Sequence, residues 1–308
     1  MNEADHVPVL LQEVLVALAP RAGDVSVDCT AGLGGHAAAV ASRMGTGRVV
    51  LLDADPAMLA RAEARVREVA PGCDVIARRA NFAEVERVVG ELGLRANTVL
   101  ADLGFCSAQM ADGARGFSFM REGPLDLRLD PGLATTAADL VNTLPERELA
   151  SIFRDLGEEP RASVVARKIA EVRRESPILT TDRLAELIRT VVPRTSAGID
   201  PATRAFQALR IAVNDELGVL DALLASLNRG AKAKEGWLAP GARVGIISFH
   251  SLEDRPVKAA LGEMVRAGRA EVIGAKLVEA DEDERRRNPR ARSAKLRAVR
   301  LGESSLQT

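Results

Sequence analysis

Tyrosine is missing from this 308-residue sequence, tryptophan occurs once, at Trp237, and phenylalanine seven times. Any stacking on flat ligands therefore falls to a handful of Phe residues. Histidine is equally scarce: His6, His36 and His250 are scattered, and Cys29, Cys73 and Cys106 form no CxxC pair. Neither a disulfide framework nor a zinc cluster is expected, and no metal is called for. Thiols kept reduced in a cytoplasm fit this count. No apolar run approaches a membrane span. The opening residues 1–6 are acidic rather than basic-then-apolar, unlike a secretion signal, so the expected location is the cytoplasm, with no membrane partner. Net charge is −1, which excludes a global basic field.

The hydrophobic fraction of 47% and charged fraction of 28% are those of an ordinary globular chain. The length suits two domains or one large one. Charge is unevenly placed, with an acidic stretch at 279–284 and a basic one at 285–300.

The first third alternates short apolar runs with helical patterns. Strands are expected at 25–29, 48–53, 75–78 and 98–102. A glycine turn at 32–35 leads into a helix at 36–43, and further helices follow at 56–69 and 83–92. This alternation argues for a parallel sheet covered on both faces. The rhythm then breaks. Roughly 140 residues separate the fourth strand from the next buried one, 243–249, far more than a βα loop needs. Helical periodicity fills the gap at 145–156, 162–174, 181–191 and 201–227. The simplest account is a helical domain, 115–213, inserted into an α/β core made of 1–114 and 214–308. Near the end, 271–278 and 295–301 are expected to pair as antiparallel strands around an exposed loop, and 302–308 reads as a frayed tail.

The chemistry begins at Asp28-Cys-Thr-Ala-Gly-Leu-Gly-Gly-His36. A glycine turn between a strand and a helix N-terminus brings backbone close to a ligand, and two ligand classes use it. Dinucleotides place a pyrophosphate there, and Gly32-Leu-Gly-Gly-His-Ala37 satisfies GxGxxA. Methyltransferases place S-adenosylmethionine there and commonly carry an acid closing the first strand, where Asp28 stands. Asp53, closing the second strand, suits two ribose hydroxyls in either case. Asp102 closes the fourth. Three acids on one sheet edge suit a sulfonium cation better than a pyrophosphate, although each alone also reads as a strand-end or cap residue. A nicotinamide-linked oxidoreductase remains the alternative on these motifs.

Longer blocks narrow the choice. His6-Val-Pro-Val-Leu-Leu11, Gly32-Leu-Gly-Gly-His36, the block from Arg115 to Asp126, Pro201-Ala-Thr-Arg-Ala-Phe-Gln-Ala-Leu-Arg-Ile211, Ile247-Ser-Phe-His-Ser-Leu-Glu-Asp-Arg255 and Asn288-Pro-Arg-Ala-Arg-Ser293 occur in order. Together they resemble the bacterial 16S ribosomal RNA cytosine-N4 methyltransferases, over nearly the whole chain. The resemblance implies a Rossmann-like class I methyltransferase sheet with an inserted all-helical domain that helps recognise substrate. It implies that Gly34, Gly35 and His36 contact S-adenosylmethionine, that Asp53 holds its ribose, that Phe82 lies against the adenine, and that Asp102 and Gln109 complete the pocket. The implied partner is 16S ribosomal RNA or the small ribosomal subunit, and a homodimer is admitted. Departures are Phe105, Cys106 and Ala108 where the family more often has Val, Ser and Pro, and Leu156 where a Tyr is common. A non-catalytic RNA-binding factor that kept the fold is the second alternative.

The amine of cytosine is a weak nucleophile, so an acceptor on its N–H is wanted. Asp102 and His250 are the candidate catalytic residues, with backbone carbonyls of 103–107 beside them. Cys106 offers a thiolate attack on the ring instead; its bland reading, a small half-buried residue, is preferred. Phe117, Phe119 and Phe249 are candidate stacking surfaces, and Phe206 reads as core. For RNA, Arg290, Arg292 and Arg204 are the expected phosphate contacts, with Arg115, Arg121 and Arg128 extending the path. A charge run also reads as a solvated face.

Overall fold

A computed structural model describes residues 7–302 apart from 121, 195–197, 199 and 234. His6, Arg121 and residues 303–308 of the expected tail therefore lie outside the described residues. In chain order the strands are β1 (Val25–Asp28), β2 (Gly47–Asp53), β3 (Cys73–Arg79), β4 (Ala96–Asp102), β5 (Leu238–Ser248), β6 (Ala270–Val272), β7 (Val278–Glu279) and β8 (Lys295–Leu301). The helices are α1 (Leu11–Leu18), α2 (Gly35–Met44), α3 (Pro56–Val69), α4 (Val85–Glu91), α5 (Ser107–Ala111), α6 (Ala137–Thr143), α7 (Glu146–Asp155), α8 (Ala162–Val172), α9 (Thr181–Val191), α10 (Thr203–Asn214), α11 (Glu216–Gly230), α12 (Ser251–Arg266) and α13 (Glu282–Arg287).

The chain divides into two units, one made of 1–104 and 217–308, the other of 105–216. In the first, the strands run β3-β2-β1-β4-β5-β8-β6, with β7 also on β8. β1 to β5 are mutually parallel, and β8 returns antiparallel to β5. The mixed α/β, mostly parallel sheet expected from the sequence is the one observed. Alternation along each strand feeds two cores. Val27, Val50, Leu52, Val99 and Ile246 face one side with Val88 of α4, Leu223 of α11 and Val257 of α12. Val49, Leu51, Val75 and Leu100 face the other with Leu18 of α1, Val40 of α2 and Val66 of α3. Burial on both faces is why these strands read as continuous apolar runs. The start of α3 follows its chemistry: the Asp55 carboxylate accepts a hydrogen bond from Ala57 N at 3.0 Å, and Pro56 occupies the first turn.

Three expectations are corrected here. The helix read across 201–227 is two helices, broken where Asp215 adopts φ 48°. Asp tolerates this left-handed conformation, and the preceding Asn214 gives its side chain to Leu127 O at 2.7 Å and to Leu129 N at 2.6 Å. The strand read at 271–278 is interrupted by Gly274 at φ 65° into β6 and β7. The exposed loop read between the last strands is folded, as α13 and a 3-10 turn at Pro289–Ser293.

Among the described residues the second unit is built of helices, with a single β-bridge between Pro124 and Thr180 and a core around Leu149, Phe153, Ile169, Leu184 and Ile188. The α7 run buries only Leu149, Ala150 and Phe153, one face at helical spacing.

Candidate active site

β1 leads outward to β2 and β3, and the chain then returns to place β4 on the other side of β1. The reversal makes the carboxyl ends of β1 and β4 the switch point of the sheet, the place where open α/β sheets bind ligands. The glycine turn sits at this point. Ala31 N donates to Leu52 O at 2.9 Å, Gly34 N to Ala31 O at 2.7 Å, and Gly32 N to Asp53 Oδ2 at 2.7 Å. The other carboxylate oxygen of Asp53 accepts from Asp55 N at 2.8 Å. Asp53 thus holds the turn from beneath. Gly34 has φ 73°, and a Cβ there would stand 2.7 Å from the Cα of Ala62. Only glycine fits where α2 crosses α3 this closely.

His36 lies in the first turn of α2, 6% exposed. Its Nε2 is 3.6 Å from Asp102 Oδ2. Thr30 joins the two strand ends, since its hydroxyl accepts from Asp102 N at 2.7 Å while Thr30 N donates to Asp28 Oδ1 at 3.0 Å. Asp28 is buried, and burial pushes its carboxyl up to about 6, against the pull of His36 and of Thr30 N–H, while Asp102 and Asp53 push it further up. Asp28, Asp53 and Asp102, read from the sequence as one rim, are brought together at one edge. His250 follows β5 on the same edge and forms the N-cap of α12. Its Nε2 is 3.1 Å from Glu253 Oε1, and the other oxygen of that buried carboxylate accepts from Phe249 N at 2.8 Å.

Among the described residues, both ring nitrogens of His36, Nδ1 of His250 and Oδ1 of Asp102 are buried without a hydrogen-bond partner, while Nε2 of His250 faces Glu253. Buried polar atoms are nearly always satisfied, so an unsatisfied group at a sheet's carboxyl edge points to a ligand that completes it. With two carboxylates beside them, these atoms fit a polar, cationic cofactor better than a phosphate.

Other expected residues fall elsewhere. Phe82 opens a short 3-10 turn just past β3, half-buried, so it also stands at the carboxyl edge. Gln109 belongs to the helical unit, buried in α5, where its Oε1 accepts from Cys106 N at 3.0 Å. Arg204 is exposed in α10 and donates to Glu158 O at 3.2 Å. Arg290 is half-buried and Arg292 exposed in the turn before β8. Arg115 and Arg128 serve their own unit instead: Arg115 donates to Arg128 O and Leu129 O, and Arg128 pairs with Asp126 at 2.7 Å. Phe117 is not a free stacking surface but is buried, stacked on Phe105 with centroids 5.0 Å apart. Phe206 is core, as read. Thr30 is given no role by the sequence, and Glu253 reads there only as a carboxylate opening the helix after His250, where it lies. Thr30 acts through Asp102 and Glu253 beside His250, and a hydroxyl two positions past a strand-end Asp is the local signal of the first.

Residues 3–301 match the profile of the MraW methylase family. The chain is 42% identical to ribosomal RNA small subunit methyltransferase H of Granulibacter bethesdensis, covering 96% of this chain and 90% of that protein. Proteins of the same name from Heliobacterium modesticaldum and Methylococcus capsulatus are 43% and 44% identical. The alignments cover 96% and 94% of this chain and 97% and 98% of theirs.

Proposed function

The chain belongs to the MraW methylase family, and from that premise we propose that this S-adenosylmethionine-dependent methyltransferase methylates N4 of a cytosine in 16S ribosomal RNA. The observation that carries the reading is the group of buried, unpartnered polar atoms on His36, Asp102 and His250 at the carboxyl edge. The family relatives are named as small-subunit ribosomal RNA methyltransferases, and the RNA acceptor comes from them.

In this reading the backbone of Gly34 and Gly35 contacts the cofactor, their missing side chains making room for Ala62 and Pro8; His36 contacts its amino-acid end, and Asp53 takes the ribose hydroxyls. Phe82 lies against the adenine. Gln109 is assigned to the pocket by resemblance alone. The bound cofactor supplies an electrophilic methyl carbon on a sulfonium. The protein's work is alignment and charge. Asp102 accepts a hydrogen bond from the acceptor amine, which frees the nitrogen lone pair from the ring and offsets the positive charge developing there. His250, held against Glu253, orients the base or takes the amine proton. Cys106 is given no nucleophilic part. Arg290 and Arg292 in the sheet unit and Arg204 in the helical unit, 115–213 by the sequence reading, take phosphates. The expected location is the cytoplasm, where the substrate is made. A homodimer is its candidate assembly, to be read by light scattering.

The deciding experiment maps methylated nucleotides by mass in small-subunit RNA incubated with and without the enzyme. One N4-methylcytosine appearing with enzyme is the expected result. Methylation on carbon 5, or none on either free RNA or assembled subunits, refutes it.

A further inference from the structure

The turn proposed to hold the cofactor is roofed by a part of the chain far from it in sequence. The Pro8 ring sits where a side chain on Gly35 would be, its Cγ 2.5 Å from the Cβ position. Residues 7–10 are in turn held by the segment after β7. Leu10 N donates to Glu284 Oε1 at 2.7 Å, and Val7 O accepts from Asn288 Nδ2 at 3.1 Å. Leu10 takes φ 52° at the N-terminus of α1 and offers no side-chain cap, so the Glu284 carboxylate does a cap's work from 274 positions away. Asp281 caps α13 by accepting from Glu284 N at 2.7 Å, which fixes the backbone that carries that carboxylate. Asn288 accepts from Arg290 N at 3.3 Å with its other side-chain atom, so one amide fixes both the strap and the start of the arginine turn. Val9 and Leu10 are buried in one core with Ala37 and Ala38 of α2 and Ala291 and Ala294 of the turn.

We propose that Glu284 and Asn288 are positioning residues for the cofactor turn, acting through Pro8 on Gly35. This rests on the reading of the Gly34–His36 turn as the S-adenosylmethionine site. Neither residue touches that turn directly. Their hydrogen bonds set where residues 7–10 lie, and the Pro8 ring then sets how far the first turn of α2 can open. Because the same Asn288 orders the backbone of Arg290, the arginine turn and the cofactor turn are linked through one strap. Sites joined by one packed element bias each other reciprocally.

The test uses hydrogen exchange and calorimetry with S-adenosylhomocysteine on the full chain. In the unaltered protein, S-adenosylhomocysteine should protect the peptide spanning 29–40; no protection there refutes the cofactor reading itself. In Glu284→Ala and Asn288→Ala, exchange without ligand should quicken both at 7–18 and at 29–40. Affinity for S-adenosylhomocysteine should fall on the order of fivefold or more. Glu284→Gln keeps an acceptor for Leu10 N–H and should recover most of the affinity. The inference is overturned if the wild-type peptide is protected yet the variants quicken exchange only at 7–18 and 281–292 with affinity unchanged. It is equally overturned if Glu284→Gln is as weak as Glu284→Ala.

Discussion

His36 and Asp102 face each other at the switch point of the sheet, Nε2 to Oδ2, at 3.6 Å. One belongs to the helix after β1 and the other closes β4, so their approach depends on β1 and β4 being neighbours, in register from Ser26 against Thr98. Thr30, hydrogen-bonded to Asp102 N, locks that neighbourhood at the edge. The gap is too long for a direct hydrogen bond and leaves atoms of both residues unsatisfied.

The first prediction concerns that carboxylate. Asp102→Asn is nearly isosteric, and the bond to the Thr30 hydroxyl comes from its backbone N–H, so the strand ends stay joined. It removes the negative charge that would offset charge developing on the acceptor amine. Turnover should fall by about 10²-fold or more, as when one donor or acceptor of a preorganised site is lost. S-adenosylhomocysteine affinity should change far less. Single-turnover methyl transfer and calorimetry measure the two. An equal loss in both would make Asp102 a cofactor ligand alone.

Asp28 gives a prediction in pH. Burial raises its carboxyl from 3.8 to about 6 in the folded protein. The folded state therefore binds this proton more tightly than the unfolded chain does. The associated stability is fully present below pH 3.8 and is lost as pH rises through 6, a swing of about 3 kcal/mol. Asp28→Asn never ionises. Its stability relative to wild type should rise between pH 4 and pH 8 by up to that amount in urea unfolding. A pH-independent difference would show that Asp28 is already ionised when folded at pH 4.

Arg297 and Asp254 behave in the opposite sense. Arg297 lies in β8 and pairs with Asp254 of α12 through Nε at 2.7 Å and Nη2 at 3.0 Å, while Nη1 donates to Lys276 O at 2.7 Å. The hydrogen bonds from Arg297 hold the Asp254 carboxyl below its ordinary value. That stability is present above about pH 4 and is lost as pH falls through the depressed value. Arg297→Ala leaves a half-buried carboxylate without its guanidinium partner and should cost roughly 1–3 kcal/mol at pH 7. The cost should shrink on acidification, as chemical unfolding at pH 7 and pH 3.5 will show. Equal costs at the two values would mean the loss is packing and not charge.

Legibility in the sequence followed the range of the forces involved. β1, β2 and β4 were readable because burial on both faces demands unbroken apolar runs, such as Val49–Val50–Leu51–Leu52, and each ends in an Asp where the chain meets the ligand edge. The rim of acids was therefore readable too. α1 was not assigned, because its eight residues start at Leu11 behind an N-cap, Leu10, that offers no side-chain cap; the capping carboxylate comes from Glu284. The segment 281–293 read as a loop because its charges suggest solvent; the Asp281 cap, the burial of Ala291 and the contacts with residues 7–10 fold it. Phe117 and Arg115 looked like substrate contacts because aromatic and basic residues often are. Their partners, Phe105 and the carbonyls of Arg128 and Leu129, are half-buried residues of the helical unit itself. Asp215 and Gly274 broke expected elements through single left-handed residues, which propensity alone does not place.

The last prediction separates the arginines by the company they keep. Arg285 lies 3.5 Å from Glu279, and Arg286 lies 3.2 Å from Glu282 and 3.6 Å from Asp283, all on the exposed surface of α13 and its approach. These guanidinium groups are half neutralised before RNA arrives, and a phosphate must displace a carboxylate to reach them. Arg290 and Arg292 lie beyond that acidic stretch, in the turn that Asn288 orders. Each phosphate neutralised releases condensed counterions, so binding weakens with salt in proportion to the number of contacts. Arg292→Ala should lower the slope of log affinity against log salt by about 1, for one lost contact. Arg285→Ala and Arg286→Ala, each alone, should lower it by clearly less, because the acids beside them already screen those charges. Filter binding or fluorescence anisotropy of a small-subunit RNA fragment across a salt series measures each slope. Equal reductions from the three variants would show that the acids of α13 do not compete with phosphate, and that Arg285, Arg286 and Arg292 meet RNA as one uniform face.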